Sequence, residues 1–229
     1  MQETKLASYF YYWGKAQKQD LDFKGDPYHL LPYHSLDVAA VGEKLFAPDT
    51  ELAKGIAEFL DLEPQEVTKL FVFFLALHDL GKFASAFQAL FKDERHYLFA
   101  ANPNRQYDGR EFRHDLIGLY FWDKIRDLDE LYPRSLSSDE EGECSQTLMV
   151  FIDCVLGHHG KPINSAKLVE LTPYIERKKN VPAAEQFVLD VFDLLQPVLP
   201  IEKLVNSEWR QRLKQVSWTL AGVRYWRIG

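Results

Sequence analysis

VTKLFVFFLALHDLGKF, Val67 to Phe83, is the stretch from which the fold is read. From Val67 to Leu77 it is apolar nearly all round, as expected of a helix buried in the middle of a bundle rather than lying on its surface. The run ends abruptly in His78 and Asp79, followed by Leu-Gly-Lys. Two polar, metal-competent side chains are thus expected at a deep helix end.

Helical periodicity continues on both sides of this segment. Apolar residues three and four apart predict helices over Ser35–Phe46, Glu51–Leu62, Pro64–Leu77, Phe112–Ile125, Thr147–Leu156, Pro182–Leu195 and Ser207–Val223. Pro64 and Pro182 stand where a first-turn proline is tolerated. Few stretches alternate with period two, so the expected fold is all-α. Two polar segments, Asp93–Arg110 and Arg134–Ser145, read as loops between the helices, the second with the composition of a mobile surface loop.

A chain of 229 residues with 46% apolar content suits one domain able to bury a sizeable core. No apolar stretch approaches the roughly 18 residues that cross a bilayer, and the start lacks the charged-then-apolar order of a signal peptide. No membrane partner and a cytoplasmic location are expected. Cys144 and Cys154 form no CxxC and read as incidental thiols. The net charge of −7 excludes a protein that coats nucleic acid through a generally basic surface. It does not exclude a nuclease, because bound cations make a locally positive site on an acidic domain. The Gly-Lys pairs at Lys15, Lys82 and Lys161 complete no phosphate-cradling GxxxxGK[ST] motif, so nucleotide-driven motor activity is not encoded.

The histidines cluster at helix ends. His34 lies in PYHSLDVAA, His114 in EFRHDLIG, and His158 and His159 in LGHHGKP. Helix termini that face a shared cavity bring five imidazoles and Asp79 to one place, a ligand set for two metals. Imidazole suits Mn, Fe, Co, Ni and Zn, with Mg also possible, and one carboxylate bridges two ions about 3.5–4 Å apart in two-metal phosphoryl chemistry. His29 and Asp37 are candidates to support a ligand imidazole from behind. His96 has no partner motif and reads as surface.

Six ordered stretches carry a resemblance: YYWGKA, HLLPYHSLDVAAVG, FFLALHDLGKFASAFQ, FRHDLIGLYFW, GHHGKP and WTLAG. Together they resemble the HD nuclease domain of the type I CRISPR-associated nuclease-helicase, most of all its subtype I-E members. The resemblance spans almost the whole chain. It implies an HD-superfamily helical bundle with a metal pocket between helix ends, one HD-type nuclease domain over residues 1–229 with the helicase domain absent. It further implies metal-dependent cleavage of DNA, chiefly single-stranded, by metal-activated water attack on phosphodiesters, in partnership with an RNA-guided type I surveillance complex and a helicase domain or subunit.

Carried over by position, the resemblance makes His34, His78 and a shared Asp79 ligands of one metal, and His114, His158 and His159 ligands of the second. Lys82 is expected to approach the scissile phosphate beside Asp79 as a catalytic cation. Arg105, Arg110, Arg113 and Lys161 are candidates to track DNA phosphates, with Tyr107 or Phe112 stacking a base. Family members follow WTLAG with an Ala-Asp-Trp stretch whose Asp completes the first metal site. Here Tyr225 takes that place, with Asp190 and Asp193 as substitutes on an earlier helix. The resemblance therefore predicts at most one tightly held metal, with alternatives of an impaired HD domain acting as a binding or regulatory module, or an HD nucleotide phosphohydrolase.

Overall fold

The computed structural model describes residues 6–16, 26–92, 97–125, 131, 136–157, 163 and 165–214. A short 3-10 turn at Ser8–Tyr11 leads into β1 (Trp13–Ala16), which pairs antiparallel with β2 (Tyr28–Leu30). Helices α1 (Leu31–Leu45), α2 (Glu51–Leu60) and α3 (Pro64–Ala76) follow, then a 3-10 turn at Leu80–Phe83 and the single-turn α4 (Ser85–Gln88). Beyond an irregular stretch come α5 (His114–Ile125), α6 (Ser138–Leu156), a 3-10 segment at Ser165–Tyr174, α7 (Arg177–Leu195) and α8 (Ile201–Leu204). Residues 207–214 are again helical. The all-α expectation stands, with one small hairpin added.

Helix α3 is the axis of the bundle and packs against α1, α2, α6 and α7. Its start is fixed locally: Pro64 occupies the first turn, and the Glu66 carboxylate accepts the Glu63 backbone N–H at 2.8 Å. Its faces carry Val67, Leu70, Phe73, Phe74 and Leu77, all buried, which is why the segment shows no polar side. Phe74 stacks on Phe151 of α6 with centroids 5.2 Å apart, and Phe73 meets Phe192 of α7 edge-on at 5.6 Å. Burying these rings removes large apolar areas from water and supplies the main favourable term holding the helices together.

Helix boundaries depart from the periodicity in three places. The stretch read as the end of a mobile loop, from Ser138 to Ser145, forms the first two turns of α6, which therefore begins nine residues before Thr147. Ser137 caps it, accepting Glu140 N–H while Glu140 accepts the Ser137 N–H at 2.9 Å, and Asp139, Glu140 and Glu141 sit where the helix dipole favours anions. A polar, acidic composition misread as a loop is here a solvated first turn. Helix α7 likewise starts at Arg177, so Pro182 lies inside it rather than in its first turn. That proline removes one intrahelical hydrogen bond, which packing of the surrounding Ala183, Ala184 and Phe187 outweighs. Finally α1 begins at Leu31, four residues early, because Pro32 is pre-shaped for a first turn. His34 is consequently in the first turn of α1 rather than before it.

Candidate metal centre

Three helices and one strand build the site. At the end of α3 the chain tightens into 3-10 turns, with Leu80 N–H donating to Leu77 O at 3.0 Å and Lys82 N–H to Asp79 O at 2.9 Å. This turns His78 and Asp79 out of the helix while keeping both buried, at 9% and 2% exposure. Gly81 lets that turn press directly on α5: a Cβ there would lie 1.7 Å from His114 O and 2.5 Å from Gly118 N. Backbone therefore touches backbone, and His114 at the start of α5 is carried to the carboxylate. On the other side β1 bulges between Trp13 and Lys15, bringing the Gly14 backbone against His34.

The side chains converge on a single carboxylate. His34 Nε2 lies 2.9 Å and His78 Nε2 3.0 Å from Asp79 Oδ2, and His114 Nε2 lies 3.2 Å from Oδ1. Lys82 Nζ is 2.7 Å from the same Oδ2 and donates to Gly14 O at 2.7 Å. Burial is the largest influence on Asp79 and opposes ionisation. The hydrogen bonds from His114, His34 and His78 together outweigh it and hold the carboxyl well below the usual carboxylate range. Asp79 is a buried anion ringed by the nitrogens of three imidazoles and one ammonium.

The donor set fits a divalent transition metal. Nitrogen and oxygen atoms of His34, His78 and Asp79 all lie within 4.8 Å of one another. Two ligands at right angles, each ~2.1 Å from one ion, lie ~3.0 Å apart, which matches the 2.9 and 3.0 Å separations of the two imidazoles from Oδ2. The His78 ring supplies an independent check. Its Nδ1 is 2.9 Å from Leu75 O, an acceptor only, so Nδ1 carries the proton. A neutral ring then aims its Nε2 lone pair at a carboxylate oxygen, an arrangement of two acceptors that calls for a cation, either a second ring proton or a metal, between them. Backbone orientation of a ligating imidazole is the usual device for fixing its tautomer.

The remaining residues picked out from the sequence fall in different places. His158, His159 and Lys161, and also His96 and Tyr225, lie outside the described residues. Leu156, two positions before His158, packs near Gly118, which in turn abuts Gly81. His29 and Asp37 face one another, Nε2 to Oδ2 3.7 Å, and the His29 ring meets the His34 ring edge-on at 6.2 Å. Lys82 is turned inward onto Asp79 rather than outward to solvent. Arg113 forks onto the buried carboxylate of Asp115 through both Nε and Nη2, so its charge is already matched. Arg105 and Arg110 are exposed, Arg105 over the Tyr174 ring at 5.8 Å. Phe112 is buried at 3% exposure beside Tyr174, which removes it as a stacking platform. Asp190 accepts from Tyr9 Oη at 2.6 Å and Gln186 Nε2 at 2.8 Å, commitments that hold it on the α7 surface.

Three residues support the site: Gln88 and Asn180, which the sequence does not single out, and Tyr107, whose role here differs from the base stacking expected of it. Tyr107 Oη accepts the His114 backbone N–H at 3.0 Å and lies 3.2 Å from His114 Nδ1. Gln88 is buried and clamps β1 to the turn carrying Lys82: its Oε1 accepts Trp13 N–H at 3.1 Å, and its Nε2 donates to Trp13 O at 2.9 Å and Lys82 O at 2.7 Å. Asn180 Oδ1 accepts Ser85 N–H at 3.1 Å and Glu176 N–H at 2.8 Å, and its Nδ2 donates to Tyr12 Oη at 3.1 Å. Gln88 closes the FFLALHDLGKFASAFQ stretch, so position in a motif was the available signal. Asn180 has none, because its partners are distant in sequence or lie in backbone.

Comparison with known proteins accords with this geometry. Residues 13–225 match the family described as Cas3, HD domain. The chain is 32% identical over 164 residues, 68% of its length, to the CRISPR-associated endonuclease/helicase Cas3 of Escherichia coli K12, and spans only 18% of that protein. Its fold is similar to that of T. fusca Cas3, with a TM-score of 0.58 at 18% identity, covering 91% of this chain and 22% of the other. A chain in an RNA-guided CRISPR surveillance complex in a pre-nicking state is similar to the same degree, with a TM-score of 0.57 at 19% identity and coverage of 91% and 24%. The match extends from the first strand through the HD turn to the last residues of the chain, and the chain belongs to the Cas3 HD domain family.

Proposed function

We propose that this chain is a metal-dependent deoxyribonuclease that hydrolyses phosphodiesters, mainly of single-stranded DNA, in type I CRISPR interference. The observation that carries the reading is the convergence of His34, His78, His114 and Lys82 on the buried carboxylate of Asp79. Family membership supports a hydrolytic nuclease. A divalent transition metal held there supplies Lewis acidity and a water of lowered pKa.

The chain's own groups have distinct tasks. Asp79, kept ionised by its neighbours, provides the negative charge that attracts a divalent cation into a buried site. His78, with Nδ1 tied to Leu75 O, presents Nε2 in one fixed orientation. Lys82, anchored by Gly14 O, keeps a positive charge beside Asp79 where a phosphodiester's non-bridging oxygens gain charge during attack. His158 and His159 complete the second metal position in this reading, and Arg105, Arg110 and Lys161 guide the strand. A surveillance complex and a helicase, as domain or subunit, expose that strand, and the setting is cytoplasmic.

The test compares metal-loaded protein with Asp79→Ala on circular single-stranded DNA in Mn, Co or Ni. Nicking by the wild type and its loss in the variant are expected. Equal activity in both overturns the site. Release of phosphate from mononucleotides with the circle left intact overturns the nuclease in favour of a nucleotide phosphohydrolase.

A further inference from the structure

Away from Asp79, an open crevice of about 360 Å³ lies between the N-terminal 3-10 turn and the start of α7. Tyr11, Tyr12 and Phe99 form its apolar wall, and Lys178, Lys179 and Pro182 its other side. Tyr11 is 43% exposed, large for an aromatic ring at a cleft. Phe99 lies nearly parallel to Tyr12, centroids 4.8 Å apart at 11°, and is fixed by its N–H donating to Tyr11 O at 2.6 Å.

The charges beside this wall run against local stability. Arg177, Lys178 and Lys179 open α7, where the helix dipole disfavours cations. Lys179 is offset by Glu176 Oε2 at 2.8 Å and lies over the Phe99 ring at 5.5 Å. Arg177 and Lys178 are exposed, and neither forms an ion pair with any described residue. Two adjacent cations without an acid partner among the described residues, in a chain of net charge −7, match a run of phosphates beside an aromatic ledge.

The crevice is tied to the metal centre through the packed core. The Tyr12 ring lies 4.9 Å from Phe83, next to Lys82, and Gly14, whose carbonyl holds Lys82, follows Tyr11 by three residues, about 10 Å of chain. We infer that this crevice is a strand-holding subsite: one base of a single-stranded DNA lies against Tyr11 and Phe99 while its phosphates run along Arg177 and Lys178. This rests on the reading of single-stranded DNA as substrate. Binding here needs no metal, so it is measured separately from cleavage.

The experiment is fluorescence anisotropy of a labelled oligothymidine in EDTA, with the chain as it stands and with Tyr11→Ala, Tyr11→Trp and Lys178→Gln. Tyr11→Ala is expected to weaken binding at least about fivefold, the loss of one stacked base, and Tyr11→Trp to restore it. Lys178→Gln should reduce the slope of log affinity against log salt by about 0.7, one single-strand phosphate contact. A bromodeoxyuridine oligonucleotide should crosslink to Tyr11 under ultraviolet light. Unchanged affinity in Tyr11→Ala and Lys178→Gln at wild-type melting temperature overturns the inference, as does a crosslink confined to other residues. Thymidine monophosphate binding as tightly as the strand overturns it in favour of a free-nucleotide site. Strand binding that responds to Tyr11 and Lys178 without any cleavage in metal leaves the subsite standing and refutes only the nuclease.

Discussion

Tyr107→Phe isolates the support of a single imidazole. The substitution keeps the ring and removes only the hydroxyl that faces both the His114 backbone N–H and Nδ1. Two neutral hydrogen bonds at ~1 kcal/mol each give a stability loss of about 2 kcal/mol, or roughly 4–8 °C in melting temperature for a chain of this size. Burial pushes the Tyr107 hydroxyl above its ordinary pKa, so it stays neutral through the working range and acts as an oriented dipole rather than a charge. In the metal-binding tautomer Nδ1–H donates to that oxygen, which leaves the Nε2 lone pair for an ion beside Asp79. Without it the ring is free to exchange tautomers, and removing such an outer partner typically lowers metal affinity ~10–100-fold. Two measurements separate position from stability. Proton–nitrogen correlation spectra of the histidine side chains should show a fixed Nδ1–H tautomer for His114 in the wild type and a mixture in the variant. Calorimetric titration with Mn or Co should show the weakened affinity. A variant with lowered melting temperature but unchanged tautomer and metal affinity would refute the positioning of His114 by Tyr107.

Other expectations follow from particular contacts. Gly81→Ala should abolish soluble folding or metal binding, because the added methyl meets His114 O and Gly118 N, backbone atoms that cannot move aside; wild-type circular dichroism and metal uptake would contradict this. Gln88→Ala removes three buried side-chain hydrogen bonds and should destabilise by about 3 kcal/mol in urea unfolding, with a midpoint unchanged from wild type contradicting the clamp. For Asp115, burial raises the pKa, but the Arg113 hydrogen bond and the Leu116 N–H bring it below the ordinary value. A depressed folded pKa stabilises above the unfolded value near 3.9 and is lost as pH falls below it. Asp115→Asn should therefore lower stability at pH 7 and flatten the acid limb of the stability curve; an unaltered limb assigns that limb to other carboxylates. Metal titration of the wild type should give one tight site if, as the resemblance implies, Tyr225 stands at the position of the family's metal-binding Asp; two equally tight sites would show that another residue supplies that charge.

Thiol chemistry gives a further check on burial. Burial first, and then the nearby Glu140, Glu141 and Glu143, push the Cys144 thiol up to about 11, whereas Cys154 is exposed. A maleimide should modify Cys154 in the native protein and reach Cys144 only on unfolding. Rapid native labelling of Cys144 would place the start of α6 differently.

The sequence by itself determined the helical class, the buried axis Val67–Leu77, and the identity of His34, His78, Asp79 and His114, because periodicity and dipeptide motifs are local properties of the chain. It misjudged the Ser138–Ser145 stretch, since an acidic first turn and a solvated loop share one composition and differ only in whether Ser137 and Glu140 close a capping box. Pro182 was placed in a first turn for a related reason: packing of α7 against the core extends the helix past a residue that by itself argues for a boundary. The tertiary structure alone decided what the site residues do to each other. Lys82 points to Asp79 because Gly14 O and Gln88 hold it there, and Arg113, which reads from the sequence as a strand contact, is instead the counter-charge of Asp115. Tyr107 reads from the sequence as a ring for stacking; that its oxygen matters is decided by the turn of chain that sets it against His114. Composition and motif fix which groups are available, while distances of about 3 Å between residues tens of positions apart are set only when the helices pack.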